Sequence, residues 1–264
     1  MGMSRSVIIS AHGVGKTFGA GVQRTHALDG VSLDIDSGEF ISIIGPSGCG
    51  KSTLLRIVGD LVEPSTGTVT VKGKTPHQAR LDRDYGIVFQ TPVLYEWRTV
   101  RRNVELPLDV MGVPGAEWRP RADAMLQMVG LKAFAEHYPW QLSGGMQQRV
   151  AIARALVFNP SILLMDEPFG ALDEMTRERL NAELMNIWIQ TSATVLFITH
   201  SIPEAVFLSS RVMVMSPRPG RIDRVVTIDL PRPRTAHTRA TPRFFELVTQ
   251  VREGLREDPT VSGA

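Results

Sequence analysis

An α/β fold with a mainly parallel sheet is what the sequence predicts, and three observations predict it. Short apolar runs recur at Phe40 to Ile44, Ile162 to Met165 and Val195 to Ile198. Each is apolar throughout instead of alternating, as suits a strand covered on both faces, and stretches of helical character separate them. Each also ends on polar residues, at the strand ends where open α/β sheets gather ligands.

The elements follow in order. Val14 to Asp36 and Gly67 to Lys74 alternate in polarity and are punctuated by Gly and Asp. They predict short antiparallel strands, forming an N-terminal β subdomain. Phe40 to Ile44 runs into a glycine-rich turn that opens a helix from Lys51 to Val58, and Gly86 to Phe89 is a further apolar strand ending at Gln90. From Pro92 to Leu156 the strand runs cease and helical patterning takes over, with breaks predicted at Pro107, Pro114, Pro120 and Pro139. The whole stretch reads as a helical subdomain inserted over residues 90–157. Leu180, Leu184, Ile187 and Trp188 share one face of a helix over 176–190. After Met215 come Pro217, Pro219, Pro231, Pro233 and Pro242, interleaved with seven arginines between 218 and 243. That composition predicts an irregular, solvated tail, so residues 7–220 read as the domain and 221–264 as a C-terminal extension.

Composition narrows the function classes. Of 264 residues, 43% are hydrophobic and 21% charged, which suits a packed domain and not a disordered chain. Lys+Arg number 29 against 27 Asp+Glu, a net charge of +2, too small for a protein whose work is coating nucleic acid. Cys49 stands alone, which excludes a disulfide framework and a Cys-rich metal site. No apolar run approaches the roughly 18–20 residues that span a bilayer, and Val7 to Ile9 is too short for a secretory signal core.

Chemistry enters at Gly45-Pro46-Ser47-Gly48-Cys49-Gly50-Lys51-Ser52-Thr53, which matches G-x-x-x-x-G-K-[ST] between a predicted strand and a predicted helix. Glycines let backbone N–H groups turn inward around phosphate oxygens, and the helix N-terminus adds free donors and a positive dipole end. Lys51 supplies a charge for the β- and γ-phosphates, and the Ser52 hydroxyl can ligate Mg²⁺. The motif resembles that of P-loop NTPases and implies a core of RecA-like type. Cys49 occupies a free position in the loop and reads as a small tolerated side chain. The strand ending at Asp166 delivers a carboxylate to hold Mg²⁺, and Glu167 follows it, placed to polarise a water for attack on the γ-phosphate.

Leu142-Ser143-Gly144-Gly145-Met146-Gln147-Gln148-Arg149 resembles the signature sequence of ABC-transporter ATP-binding subunits. The rest of that family's pattern occurs in order. Gln90 resembles its Q-loop, Ala171-Leu172-Asp173 its D-loop and His200 its switch histidine, while Phe18 stands where its adenine-stacking aromatic falls. The resemblance covers about residues 7–220 and implies the ABC ATPase fold, with ATP and Mg²⁺ as cofactors. Ser143 itself reads as the N-cap of a helix running to Val157, a second anion site in a chain that already has one. What the resemblance implies is a head-to-tail homodimer, ATP on one phosphate loop being clamped by Ser143, Gly144 and Gly145 of the other copy. By the same resemblance, Gln90 touches Mg²⁺ or the attacking water, Asp173 borders the site, and His200 contacts the γ-phosphate and orients the water.

Ser201 replaces the Asp common after the switch histidine, and Ser201 to Glu204 reads as a capping box. Leu94 to Val100 falls where the family docks its membrane partner; Glu96 departs from the usual Pro there, and Trp140 is an unexpected aromatic. His12, His26, His77, His137 and His237 show no ligand spacing and read as surface residues. Met165 to Asp173, then Thr176-Arg177 and Met215 to Gly220, resemble the nitrate/sulfonate/taurine importer branch. That branch implies integral membrane permease subunits, a periplasmic or lipid-anchored solute-binding protein, and a peripheral place on the cytoplasmic face of the bacterial inner membrane. Lys51 and Asp166 stand too close in sequence for the long coiled coil of chromosome-type relatives, and the chain has one cassette where ribosome-acting relatives have two.

Overall fold

The computed structural model describes residues 6–19 and 24–256. Two long strands open the chain, β1 (Val7–Phe18) and β2 (Thr25–Asp36), and pair antiparallel; β4 (Thr66–Val71) joins on the other side of β1. The expected antiparallel subdomain is thus present, but its first two strands run 12 residues each and are not short. Register shifts in β1, such as that between Ala11 and Val14, let such long strands bend over the second sheet.

That second sheet has six strands. β3 (Phe40–Ile44), β5 (Tyr85–Val88), β6 (Ile162–Asp166), β7 (Thr194–Ile198) and β8 (Arg211–Met215) are parallel, and β9 (Ile222–Thr227) closes one edge antiparallel to β8. The order is β5-β6-β7-β3-β8-β9. Alternation explains why its strands read as unbroken apolar runs. Ile41, Ile43, Leu164, Leu196 and Met213 enter one core, shared with β1, β2 and the helix α1 (Lys51–Val58). Phe40, Leu163, Met165, Phe197 and Val212 enter the other, shared with the helices of the opposite face. In β3, β6 and β7 neither face meets water, so both sets of side chains are largely apolar.

The inserted helical subdomain contains α3 (Val100–Val110), α4 (Gly115–Met128) and α5 (Gly144–Leu156), after the short α2 (Pro76–Leu81). Pro114 caps α4, and Pro139 begins a 3₁₀ turn. Pro107 and Pro120 instead lie inside α3 and α4. Each removes one backbone donor, and burial of Leu108 in α3 and of Ala122 and Leu126 in α4 holds the helices through.

Among the described residues, the tail is not irregular. Beyond β9 lie α8 (Ala236–Arg239) and α9 (Pro242–Gly254), which buries Phe244, Leu247, Val248 and Val251. Nor are its arginines all solvated. Arg234 is buried, and its Nη1 donates to the carbonyls of Val206, Phe207 and Ser209 at 3.1, 2.9 and 2.8 Å. Arg232 lies over the Trp188 ring at 4.1 Å and bonds the Leu208 carbonyl; Arg239 lies over Phe207 at 4.1 Å. These are the last carbonyls of α7 (Ile202–Leu208), which lack partners within their own helix. Composition marks such arginines as surface residues, whereas their planar donor forks suit orphaned carbonyls.

Candidate active site

Every parallel strand delivers its carboxyl end to one edge. β3 leads into the phosphate loop, β5 toward Gln90, β6 into Asp166 and Glu167, β7 into Thr199 and His200, and β8 into the loop 216–220. Gln90 stands two residues beyond its strand and does not end it.

Gly50 caps α1 with φ 108°, a left-handed conformation open to glycine, and a Cβ there would meet the Ala27 carbonyl at 2.8 Å. Lys51 is buried, and its ammonium donates to the carbonyls of Gly45 and Pro46 at 2.9 and 3.0 Å. The Ser52 hydroxyl donates to Asp166 Oδ1 at 2.7 Å. A hydroxyl and a carboxylate in contact form a hard oxygen donor pair, while Gln90 lines the adjoining cavity with Glu167 and His200. Such a pair suits Mg²⁺, which takes few protein ligands and fills its sphere with water and phosphate. No cluster of three or more His, Cys, Asp or Glu side chains able to hold a metal occurs among the described residues.

Glu167 has φ 48°, a left-handed conformation uncommon outside glycine, held by its N–H donating to the Ile198 carbonyl at 3.0 Å and by Gly170 N–H donating to its own carbonyl. The strained turn places its carboxylate against the imidazole of His200, Nε2 to Oε1 being 2.6 Å. His200 is positioned in turn by Thr199. Its hydroxyl accepts from Ser201 N–H at 3.0 Å and donates to Glu204 Oε2, and Ser201 caps α7. The expected capping box is therefore only half formed: Glu204 reaches Thr199 and not the Ser201 backbone. Burial pushes the Glu204 carboxyl above the ordinary range, opposed by the Thr199 bond and by Arg177, Asn181 and Arg239.

Phe18, Ser47, Gly48, Gly50, Lys51, Ser52, Thr53, Glu167 and His200 line one cavity of about 310 Å³. Gly45 and Cys49 lie buried behind it, and exposed Pro46 is outside its lining. Burial raises the Cys49 thiol above its ordinary value, against the nearby Lys51 charge, which leaves it a packed, unreactive group. A second cavity, of about 590 Å³, is lined by Gln90, Glu167, Gly170 and His200 together with Arg177, Glu204 and Arg252.

Ser143, Gly144, Gly145 and Asp173 line neither of these cavities. Ser143 caps α5, accepting from Met146 N–H at 3.3 Å. Asp173 caps α6 (Glu174–Thr191), accepting from Thr176 N–H at 2.9 Å, and that bond holds its carboxyl below the usual range. Helix α5 is nevertheless wired to the Gln90 loop. Arg154 donates to the carbonyls of Pro92 and Val93 at 2.7 and 2.8 Å, and Gln148 to that of Phe89 at 3.2 Å. Sequence reasoning assigned no role to Arg154 and took Gln148 only as a member of the signature motif; neither bond to the Gln90 loop leaves a local signal in the chain.

Two exposed aromatic pairs stand in the inserted segment, Tyr95 stacked on Trp97 at 4.8 Å and Tyr138 on Trp140 at 4.6 Å. Of the five histidines read as surface residues, His137 is half-buried against the Phe134 ring, and His77 pairs with Asp60 at 3.1 Å.

A phosphate loop, a strand-end Asp-Glu pair and a histidine at the next strand end define a phosphate-loop ATPase. Residues 28–170 match the family model described as ABC transporter. A taurine import ATP-binding protein of Rhizobium johnstonii is 49% identical over 254 residues, 94% of this chain and 96% of that protein. A nitrate import ATP-binding protein of a Synechocystis species is 46% identical over 236 residues, 87% and 88% of the two chains. Among solved structures, a dimeric ATP-binding cassette in a post-hydrolysis state, bound to ADP and Pi, superposes with a TM-score of 0.74 at 40% identity. The match covers 84% of this chain and 99% of that one. The chain belongs to the ABC transporter family and is an ATP-binding ATPase of it.

Proposed function

We propose that this chain is the ATP-hydrolysing subunit of an importer, working as a homodimer that sandwiches two Mg·ATP. The observation that carries this reading is a division within one chain. Lys51, Ser52, Glu167 and His200 share a cavity, while Ser143 to Gly145 and Asp173 stand outside it. The capped N-terminus of α5 offers free backbone donors. A second copy turned head-to-tail brings them to the triphosphate, and the dimeric relative with ADP and Pi supports that arrangement.

Within the site, backbone N–H groups of residues 47–53 cradle the phosphates and Lys51 neutralises charge on the β- and γ-phosphates. Ser52, Asp166 and Gln90 would hold Mg²⁺, which supplies charge neutralisation at the phosphate oxygens. Glu167 takes a proton from the attacking water, and His200, bonded to it, fixes the carboxylate and reaches toward the γ-phosphate. Phe18 takes the adenine. The Arg154 and Gln148 bonds carry movement of the Gln90 loop into α5, and the exposed Tyr95–Trp97 pair stands on the face offered to permease subunits.

The names of the relatives, taurine import and nitrate import, support import of a small solute of the nitrate, sulfonate or taurine class. On this reading the solute comes from a periplasmic or lipid-anchored binding protein and passes through integral membrane permease subunits. This subunit then sits peripherally on the cytoplasmic face of the inner membrane. No helix among the described residues is long and apolar enough to cross a membrane. Phosphate release from the isolated chain tests the reading: specific activity rises with protein concentration for a site completed in trans, and a flat profile down to nanomolar protein refutes it.

A further inference from the structure

The loop between β8 and β9 belongs neither to the phosphate loop nor to the catalytic residues, yet it closes part of the nucleotide cavity. Arg218 lines that cavity beside Phe18, Thr25 and Ala27. The loop is tightly pinned. Gly220 N–H donates to the Ala27 carbonyl at 3.0 Å, Asp29 N–H to the Gly220 carbonyl at 3.1 Å, and Arg221 N–H to Ser216 Oγ at 2.9 Å. The Arg221 guanidinium pairs with Asp29. A Cβ on Gly220 would run into the Cys49 carbonyl oxygen, so this backbone lies directly on the phosphate loop. Pro217 and Pro219 restrict φ on either side of Arg218. A side chain carried on so fixed a backbone loses little freedom when it binds.

Arg218 is exposed and makes no hydrogen bond or ion pair among the described residues, unlike its neighbour Arg221. Its place in the cavity follows from the tether. Gly220 is bonded to Ala27, and Thr25 pairs with Phe18 across the β1–β2 ladder. Arg218 therefore stands with the aromatic end, while Lys51, Glu167 and His200 hold the phosphate end. The Lys16 ammonium lies 5.0 Å from the centre of the Phe18 ring. A nucleotide whose phosphates lie on residues 47–53 extends its base toward this end. There a planar guanidinium can stack on a purine face or bond its edge.

We propose that Arg218 binds the base end of ATP together with Phe18, as a nucleotide-binding residue outside the phosphate loop and the signature. The proposal rests on the ATP site described above. Calorimetric titration of the full chain tests it with two ligands, the non-hydrolysable adenylyl imidodiphosphate and tripolyphosphate, which lacks base and ribose. Arg218→Ala is expected to raise the dissociation constant of the nucleotide about fivefold, the size of a partly exposed cation–π contact, and to leave that of tripolyphosphate within about twofold. Arg218→Lys, which keeps the charge and loses the plane, falls between. An unchanged nucleotide constant in an Arg218→Ala protein that melts like wild type overturns the proposal. So does an equal loss for both ligands, which would place the guanidinium on the phosphates. If Lys51→Ala bound the nucleotide as wild type does, the ATP site itself would be misplaced, and this proposal would fall with it.

Discussion

The imidazole Nε2 of His200 lies 2.6 Å from Oε1 of Glu167, although the two side chains come from different strands. Their strands, β6 and β7, are neighbours paired in register, Asp166 against Ile198, so the residues that follow them emerge side by side. The left-handed turn at Glu167 then aims its carboxylate across the gap. A carboxylate held in this way, acting as the base we propose, would need no search before it meets a water, which is the advantage of a fixed geometry at the reacting end.

Glu167→Gln keeps the shape and removes the proposed base. Phosphate release at saturating ATP is expected to fall by about 100-fold or more, the usual scale of general-base catalysis. Nucleotide affinity is retained, and dimers accumulate with ATP on size-exclusion light scattering. Turnover within about twofold of wild type would remove Glu167 from the chemistry.

Removal of the histidine acts through the same contact. His200→Ala leaves Glu167 without its partner and the γ-phosphate without a donor, so kcat is expected to drop about tenfold to 100-fold with little change in ATP affinity. A raised dissociation constant with unchanged kcat would place His200 in ground-state binding instead.

Glu204 supplies a stability test with a defined sign. Burial raises its folded pKa above the unfolded value, so the folded state binds more protons in that window and loses stability as pH rises through it. Glu204→Gln keeps the bond geometry and cannot ionise. Its melting temperature relative to wild type is therefore expected to climb from about pH 4.5 upward. A constant difference from pH 4 to pH 8 would show that the carboxyl titrates normally.

Arg234 anchors the C-terminal segment to the helix that follows His200. Arg234→Met strips partners from four carbonyls, Val206, Phe207, Ser209 and Leu230, three of them at the end of α7. The expected loss is about 2–4 kcal/mol, read as a melting temperature lower by about 5–10 °C. A melting curve superimposable on wild type would mean that water replaces the guanidinium freely.

Much of this was legible in the chain because its motifs are contiguous. The phosphate loop, Asp166-Glu167 and His200 each sit at the end of an apolar run, and strand ends in a parallel sheet are where such residues meet. What stayed hidden depends on contacts between distant segments. Arg234 and Arg232 looked solvated because composition counts charges without seeing the carbonyls that receive them. Arg154 and Gln148 carried no local signal of their contact, because the Gln90 loop that receives their bonds is 59 to 62 residues away in sequence. Pro107 and Pro120 looked like breaks because local propensity carries no information on the packing that overrides it. The half-formed capping box at Ser201 shows the same limit, since Thr199 intercepts the Glu204 side chain.

The central claim is that one chain holds only part of a catalytic centre, and mixing two crippled chains tests it most directly. Lys51→Ala lacks the phosphate-loop cation and Ser143→Arg blocks the capped helix end, so each alone is expected to be inactive. Random pairing gives mixed dimers that rebuild one intact site from the sound half of each partner, and the mixture is expected to recover up to about a quarter of wild-type ATPase activity. A mixture as inactive as its components, or a Ser143→Arg protein as active as wild type, would contradict the account.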